Sequence, residues 1–242
     1  MSAIDTAPAG ASVPDVIARC QRIVAERRSS AHPFIATLDQ VQPSRPDLGR
    51  WAAQKYHQVY LQNVIFSNIH ANATEFPDVR QAMMDQLVAE ETGLTSGSAP
   101  HYTLMRRFAE ACGADPALLA REGAAPEVRQ YTGTLIDLCR TRHFVLALLV
   151  IYSIESQSGE SAGKLLAWLR GNHDFTDHEL EWFSVHAEDE DDHADAGLAL
   201  IQRHAGLVPD FATAAVDCAS IITDAWLRLH DFYLALLVPG TA

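Results

Sequence analysis

The chain has 242 residues, 48% of them apolar and 20% charged, a balance that supports a packed core and excludes a disordered chain. Its 31 Asp and Glu against 18 Lys and Arg give a formal charge of −13, and no basic cluster exceeds Arg27-Arg28 or Arg106-Arg107, which excludes nucleic acid and anionic membrane as partners. Four scattered cysteines (Cys20, Cys112, Cys139 and Cys218) form no C-x-x-C, which argues against a disulfide scaffold or zinc ribbon and suits a reducing compartment.

Met1 to Pro14 is built of small and polar residues around Asp5. Residues 1–13 read as a disordered lead-in, without the basic region or apolar run of a secretory signal. Beyond it, helical periodicity dominates, and alternating β-branched runs bounded by tight turns are absent. The pattern predicts helices at 14–29, 33–41, 47–72, 78–92, 100–112, 126–140, 143–170, 176–205 and 210–237. Gly or Pro marks each major break, as at Pro43 to Pro46, Phe76-Pro77, Gly93 to Pro100, Gly113 to Pro116, Gly123 to Pro126 and Gly206 to Pro209. None is long enough for an interdomain linker, so residues 14–238 are expected to form a single all-α domain, a bundle of about seven to nine helices. The longest apolar run starts at Phe144 and stops at Glu155, short of the ~20 residues that span a bilayer. A soluble, cytoplasmic protein is expected.

Polar groups on apolar helix faces carry the functional information, because each must find a partner or cost several kcal/mol. On helix 78–92 the apolar face is Val79, Met83, Met84, Leu87 and Val88. Glu91 falls near its centre and Glu90 nearer its edge, so Glu91 is the expected inward carboxylate; a solvated helix-end Glu is the plain alternative. On helix 100–112, His101 shares a face with Leu104, Met105, Phe108 and Cys112. Alone it reads as a hydrogen-bonded core histidine sooner than as a ligand. On helix 143–170, Glu155 follows the stripe of Phe144, Leu148, Ile151 and Tyr152, where a carboxylate must be protonated, Arg-paired or bound to a cation. On helix 176–205, Phe183, His186, Glu190, His193 and Gly197 recur at spacings of 3 and 4, which puts an H-x-x-x-E-x-x-H set on one face. Glu188, Asp191 and Asp192 point away, and Asp189 sits at the edge of that face.

Three carboxylates and three imidazoles on four inward faces are more simply explained by one shared site than by separate accidents. Mixed oxygen and nitrogen ligation without thiolate suits iron or manganese, and six ligands suit two ions. The second E-x-x-H of a ferritin-like protein is missing.

The segments Ile69-His-Ala-Asn-Ala, Asp78-Val-Arg80, Glu90-Glu-Thr-Gly93, His101-x-x-Leu104, Phe108 and Gly113 resemble the haem-oxygenase-like helical superfamily over roughly residues 30–235. Within it the chain is most similar to the diiron oxidases and oxygenases, called iron-containing redox enzymes. The resemblance implies a haem-oxygenase-like bundle and Fe(II) at two positions per chain, with Mn as a substitute, reacting with O₂. It implies the ligand order Glu91, His101, Glu155, His186, Glu190 and His193. The last cluster usually carries Asp where this chain has Glu190, which leaves Asp189 as an alternative ligand. Some members place a further Glu on the preceding long helix; between residues 47 and 72 the only carboxylate is Asp47, and His57 and His70 are the other polar candidates. The implied substrate is a small amine, amino acid or carboxylic acid, and the implied reactions are N-oxygenation, desaturation or oxidative C–C cleavage in a biosynthetic pathway. A homodimer is expected.

Two metal-free branches of the same fold are rivals: a pyrroloquinoline-quinone synthase type and a thiaminase II type, for which Cys139 beside Arg140 would be the nucleophile. A non-catalytic helical protein that binds a basic partner through its acidic run is the rival from another class. Haem-ligating members of the superfamily carry a proximal His early in the first helix; the first His here, His32, falls after the first predicted helix, so the resemblance does not imply haem binding. Tyr56, Tyr60, Tyr152, Arg142 and Trp182 are candidate pocket-lining residues.

Overall fold

The computed structural model describes residues 11–121 and 123–238, without the side chains of residues 118, 120 and 188–195. Helix α1 (Val13–Glu26) opens with a capping box between Ser12 and Asp15 and buries Val16, Ile17, Cys20 and Val24. Val13 is therefore already helical, and the rest of the expected lead-in lies outside the described residues, save Ala11 and Ser12. Two short helices, α2 (Pro33–Ala36) and α3 (Leu38–Val41), replace the single predicted helix, with the break at Thr37. Ser44 and Asp47 form a second capping box that starts α4 (Arg45–Gln62). This explains Asp47: it accepts from Ser44 and from Arg50 Nη2 at 2.7 Å.

The predicted long helix 47–72 divides at Asn63, after which α5 (Val64–Asn72) continues. Helix α6 (Pro77–Thr92) ends at Gly93, whose φ of +68° is the left-handed conformation that stops a helix. The chain then turns into α7 (His101–Ala111). Helix α8 (Pro116–Arg121) lies between the two expected breaks, where no helix is predicted; Pro116 opens it at the first turn. Next come α9 (Pro126–Thr141) and α10 (Phe144–Asn172). Helix α11 (Glu181–His204) starts five residues later than expected, because Thr176 and Glu179 cap a separate turn. Helix α12 (Phe211–Leu237) completes the set.

The fold is all-α, with no strand among the described residues. Its axis is α10. Every residue from Phe144 to Ser153 is buried, and each large apolar side chain among them contributes roughly 1.5–3 kcal/mol. A helix apolar on all sides must be enclosed, and α9, α11 and α12 enclose this one. Helix α4 packs on α7, and α1 on α12. Beneath the functional region, Trp51 meets Phe34, Phe108 and Phe183, with Phe108 and Phe183 in edge contact at 4.9 Å. No helix among the described residues is long and apolar enough to cross a membrane.

Candidate metal centre

Gly93 arranges the first pair of site residues. A Cβ at this position would lie 2.5 Å from the Ala99 carbonyl oxygen, so only glycine permits the close return of the chain. The return brings the last turn of α6 against the first residue of α7. There Glu90 Oε2 lies 3.0 Å from His101 Nδ1, and His101 is 6% exposed. Glu91 is exposed on the outer face of the helix. The expected inward carboxylate is thus corrected by one position. Adjacent residues of a helix differ by ~100° in direction, and α7 covers the side of α6 on which Glu90 lies.

His186 of α11 joins this pair. Glu90, His101 and His186 each offer a ligand atom within 4.8 Å of the others. The rings of His101 and His186 are 4.7 Å apart. His186 Nδ1 lies 2.7 Å from the Trp182 carbonyl oxygen, and the two rings stack at 3.9 Å. A carbonyl only accepts, so Nδ1 carries the proton and Nε2 presents a lone pair. This is the tautomer and the outer-sphere bond that metal-binding histidines use. Burial, followed by the neighbouring His101, pushes the His186 imidazolium pKa down to about 3, so the ring stays neutral and can ligate.

Glu155 projects from α10 into the same cavity as these three residues. Burial, reinforced by the Glu90 carboxylate, raises its pKa to about 8. Two carboxyl groups that disfavour each other's charge in an apolar cavity are relieved by a cation between them. The donor set among the described residues therefore fits iron: oxygen and nitrogen donors, no thiolate, and a neutral imidazole at His186. The side chains of Glu190 and His193, and of Asp189, lie outside the described residues; their backbone belongs to α11.

The cavity has a volume of about 290 Å³, and its lining includes Glu90, His186, Trp182, Lys55, Trp226 and His230. Of the residues expected to line it, Trp182 does. Tyr152 instead accepts from Gln21 Nε2 at 2.8 Å, Tyr60 is exposed, and Arg142 is exposed. Sequence reasoning missed Lys55, Trp226 and His230. The signal was present for Lys55: it interrupts the buried stripe Leu48, Trp51, Ala52 and Val59 of α4, the same criterion that selected Glu155. Cys139 is buried away from this cavity with its thiol pKa pushed far up by burial, which makes it inert as a nucleophile.

Residues 49–227 match the family described as iron-containing redox enzyme. The chain belongs to this family. It is 29% identical over 229 residues to 4-aminobenzoate synthase of Nitrosomonas europaea, covering 89% of this chain and 91% of that protein. It is 25% identical to pyrroloquinoline-quinone synthase of Granulibacter bethesdensis, covering 94% and 89%. A crystal structure from Shewanella denitrificans, a domain of unknown function with a haem-oxygenase-like fold, superposes with a TM-score of 0.66 at 14% identity, covering 91% of this chain and 89% of the other. The haem-oxygenase-like fold of this iron-containing redox enzyme family member is the one its sequence resembled.

Proposed function

We propose that this chain is an O₂-activating non-haem diiron oxidase or oxygenase acting on a small amine, amino acid or carboxylic acid. The observation that carries the reading is the convergence of Glu90, His101 and His186 at one wall of an interior cavity, with the His186 tautomer already set for ligation. The family match and the likeness to 4-aminobenzoate synthase support it.

In this reading Glu90, His101 and His186 hold one part of the centre and Glu155 faces it from α10. Glu190 and His193 complete the set on the spacing of the sequence alone. Iron bound there supplies one-electron and O₂ chemistry. The protein's own residues do the rest. The Trp182 carbonyl holds the His186 ring in orientation through the Nδ1 proton. His101 is held between Glu90 and the buried face of α7. Apolar side chains, including Ile151 and Ile154 from α10, line the cavity beside Glu155 and strengthen the attraction between its carboxylate and a bound cation.

Anaerobic titration with Fe(II) followed by metal analysis tests the reading. About two Fe per chain are expected, and Glu155→Ala should retain about one or fewer. Mixing the loaded protein with O₂ in a stopped-flow instrument should give a transient visible band that Glu155→Ala lacks. One ion or none in the wild type, indifferent to Glu155→Ala, overturns the reading in favour of a metal-free enzyme of the same fold.

A further inference from the structure

Among the described residues lining the cavity, one side chain is a lysine or arginine. The chain has only two lysines, Lys55 and Lys164. Lys164 is exposed and pairs with Glu160 at 2.9 Å, an ordinary i,i+4 surface bridge. Lys55 is the opposite case. It is 9% exposed, sits on the buried stripe of α4 and lines the cavity.

Its surroundings are built to hold an ammonium at one place. The Nζ atom stands 4.9 Å from the Trp182 ring centroid and 5.3 Å from that of Trp226, so two indoles flank it. Cation–π contacts of this kind, desolvated, offset part of the cost of burying the charge. Nζ also donates to Gln58 Oε1 at 3.1 Å. Gln58 is itself fixed, because the Tyr233 hydroxyl donates to the same Oε1 at 2.8 Å and Gln58 Nε2 donates to Gln62 Oε1 at 2.8 Å. The amide oxygen thus aims two donors, and its position is set by α12 and by the next turn of α4.

The same Trp182 ring that flanks Nζ also stacks on His186. The ammonium and the candidate metal cluster therefore share one indole as a common wall. The same cavity is lined by Trp51, Trp182, Trp226, Phe34 and Phe66, flat and apolar. A ligand that satisfies all three features has an anionic head for Lys55, an apolar or aromatic body for the walls and a reactive position directed at Glu90, His101 and His186. An amine-headed ligand would bring a second positive charge against Lys55.

We propose that Lys55 is the carboxylate-binding residue of this cavity, and that the substrate is a small carboxylic acid with an aromatic or apolar body, its carboxylate paired with Nζ and its opposite end turned to the metal-binding cluster. The orientation rests on the functional reading above, whereas the carboxylate preference rests on Lys55 and its walls alone.

Benzoate, benzamide and benzylammonium are matched probes that differ only in the head group. Each is titrated into the full chain with the quenching of tryptophan fluorescence as readout, once after chelator treatment and once loaded anaerobically with Fe(II). Benzoate should bind at least ~10-fold tighter than the other two in both states. Lys55→Met should abolish the preference, Lys55→Arg should keep it, and Arg142→Met, which removes an exposed cation, should leave it unchanged. Independently of any variant, benzoate should slow acylation of Lys55 by an amine-reactive reagent, read by mass spectrometry, and leave Lys164 unaffected.

Equal binding of benzoate and benzamide overturns the proposal, as does absence of saturable benzoate binding. So does a preference that survives Lys55→Met, or one that appears only with iron, since the ion would then be the anchor. If the chain binds no iron, the comparison in the chelator-treated protein still decides the role of Lys55.

Discussion

Two helices of this protein carry the same local device, and among the described residues only one of them joins the candidate metal cluster. In α11, His186 Nδ1 faces the Trp182 carbonyl at 2.7 Å; in α12, His230 Nδ1 faces the Trp226 carbonyl at 2.8 Å. Each histidine follows its tryptophan by four residues, each lines the same cavity, and burial pushes each imidazolium pKa down to about 3. The difference is in what approaches from other helices. His186 meets Glu90 and His101. His230 is ringed by Phe34, Tyr233 and Trp226, with His32 at 5.6 Å. A fixed tautomer makes an imidazole ready to ligate; a neighbouring carboxylate decides whether a cation is stabilised there.

The largest expected effect breaks this comparison directly. His186→Ala should weaken Fe(II) binding by ~100-fold or more, whereas His230→Ala should leave it within ~3-fold, as measured by anaerobic titration with a competing chelator. Comparable losses in the two variants would mean that ligation is not confined to the Glu90 end.

The next effect contrasts neighbours on α6. Glu90→Gln removes the carboxylate that meets His101 and should cost ~10–100-fold in the same titration, while Glu91→Gln, on the exposed face, should cost nothing measurable. The reverse order would restore Glu91 as the inward residue.

A smaller effect appears as the pH dependence of the metal-stripped protein. Glu155 has a folded pKa raised from 4.5 to about 8, so its contribution to stability is complete below about 4.5 and is lost as the pH rises through 8. His186 and His230 have folded values lowered from 6.5 to about 3, so their contributions are present above about 6.5 and are lost as the pH falls toward 3. Thermal melts between pH 6 and 9 should fall in the wild type and fall less in Glu155→Gln. Between pH 6 and 4, replacing either histidine should flatten the acid limb to a similar degree, which makes the two sites alike in stability while they differ in iron binding. An alkaline limb unchanged by Glu155→Gln would show that this carboxyl is not held protonated by burial.

The degree to which the site was legible varies residue by residue. His101, Glu155 and His186 were found because each interrupts a well-defined apolar stripe, and the structure directs all three into one cavity. Glu90 was passed over for Glu91 because the two lie side by side in the last turn of α6, whose apolar pattern is too weak to fix its rotation. Lys55 interrupts the apolar stripe of α4 as Glu155 interrupts that of α10, but a lysine is not a metal ligand, so the ligand pattern of the sequence does not mark it. Trp226 and His230 resembled ordinary core residues until α12 was placed opposite α11.

By itself the sequence determined the helices, most of their ends and the class of the fold, since apolar period, capping residues such as Ser44 and Asp47, and stops such as Gly93 act over a few residues. It also limited the chemistry to buried carboxylates and imidazoles. The tertiary structure alone decided which carboxylate of the Glu90-Glu91 pair faces inward, which of two identical Trp-His devices gains anionic company, and that a lysine on α4 shares a cavity with them. Those outcomes depend on how separate helices rotate and pack against one another, and helix rotation is set by contacts between residues far apart in the chain.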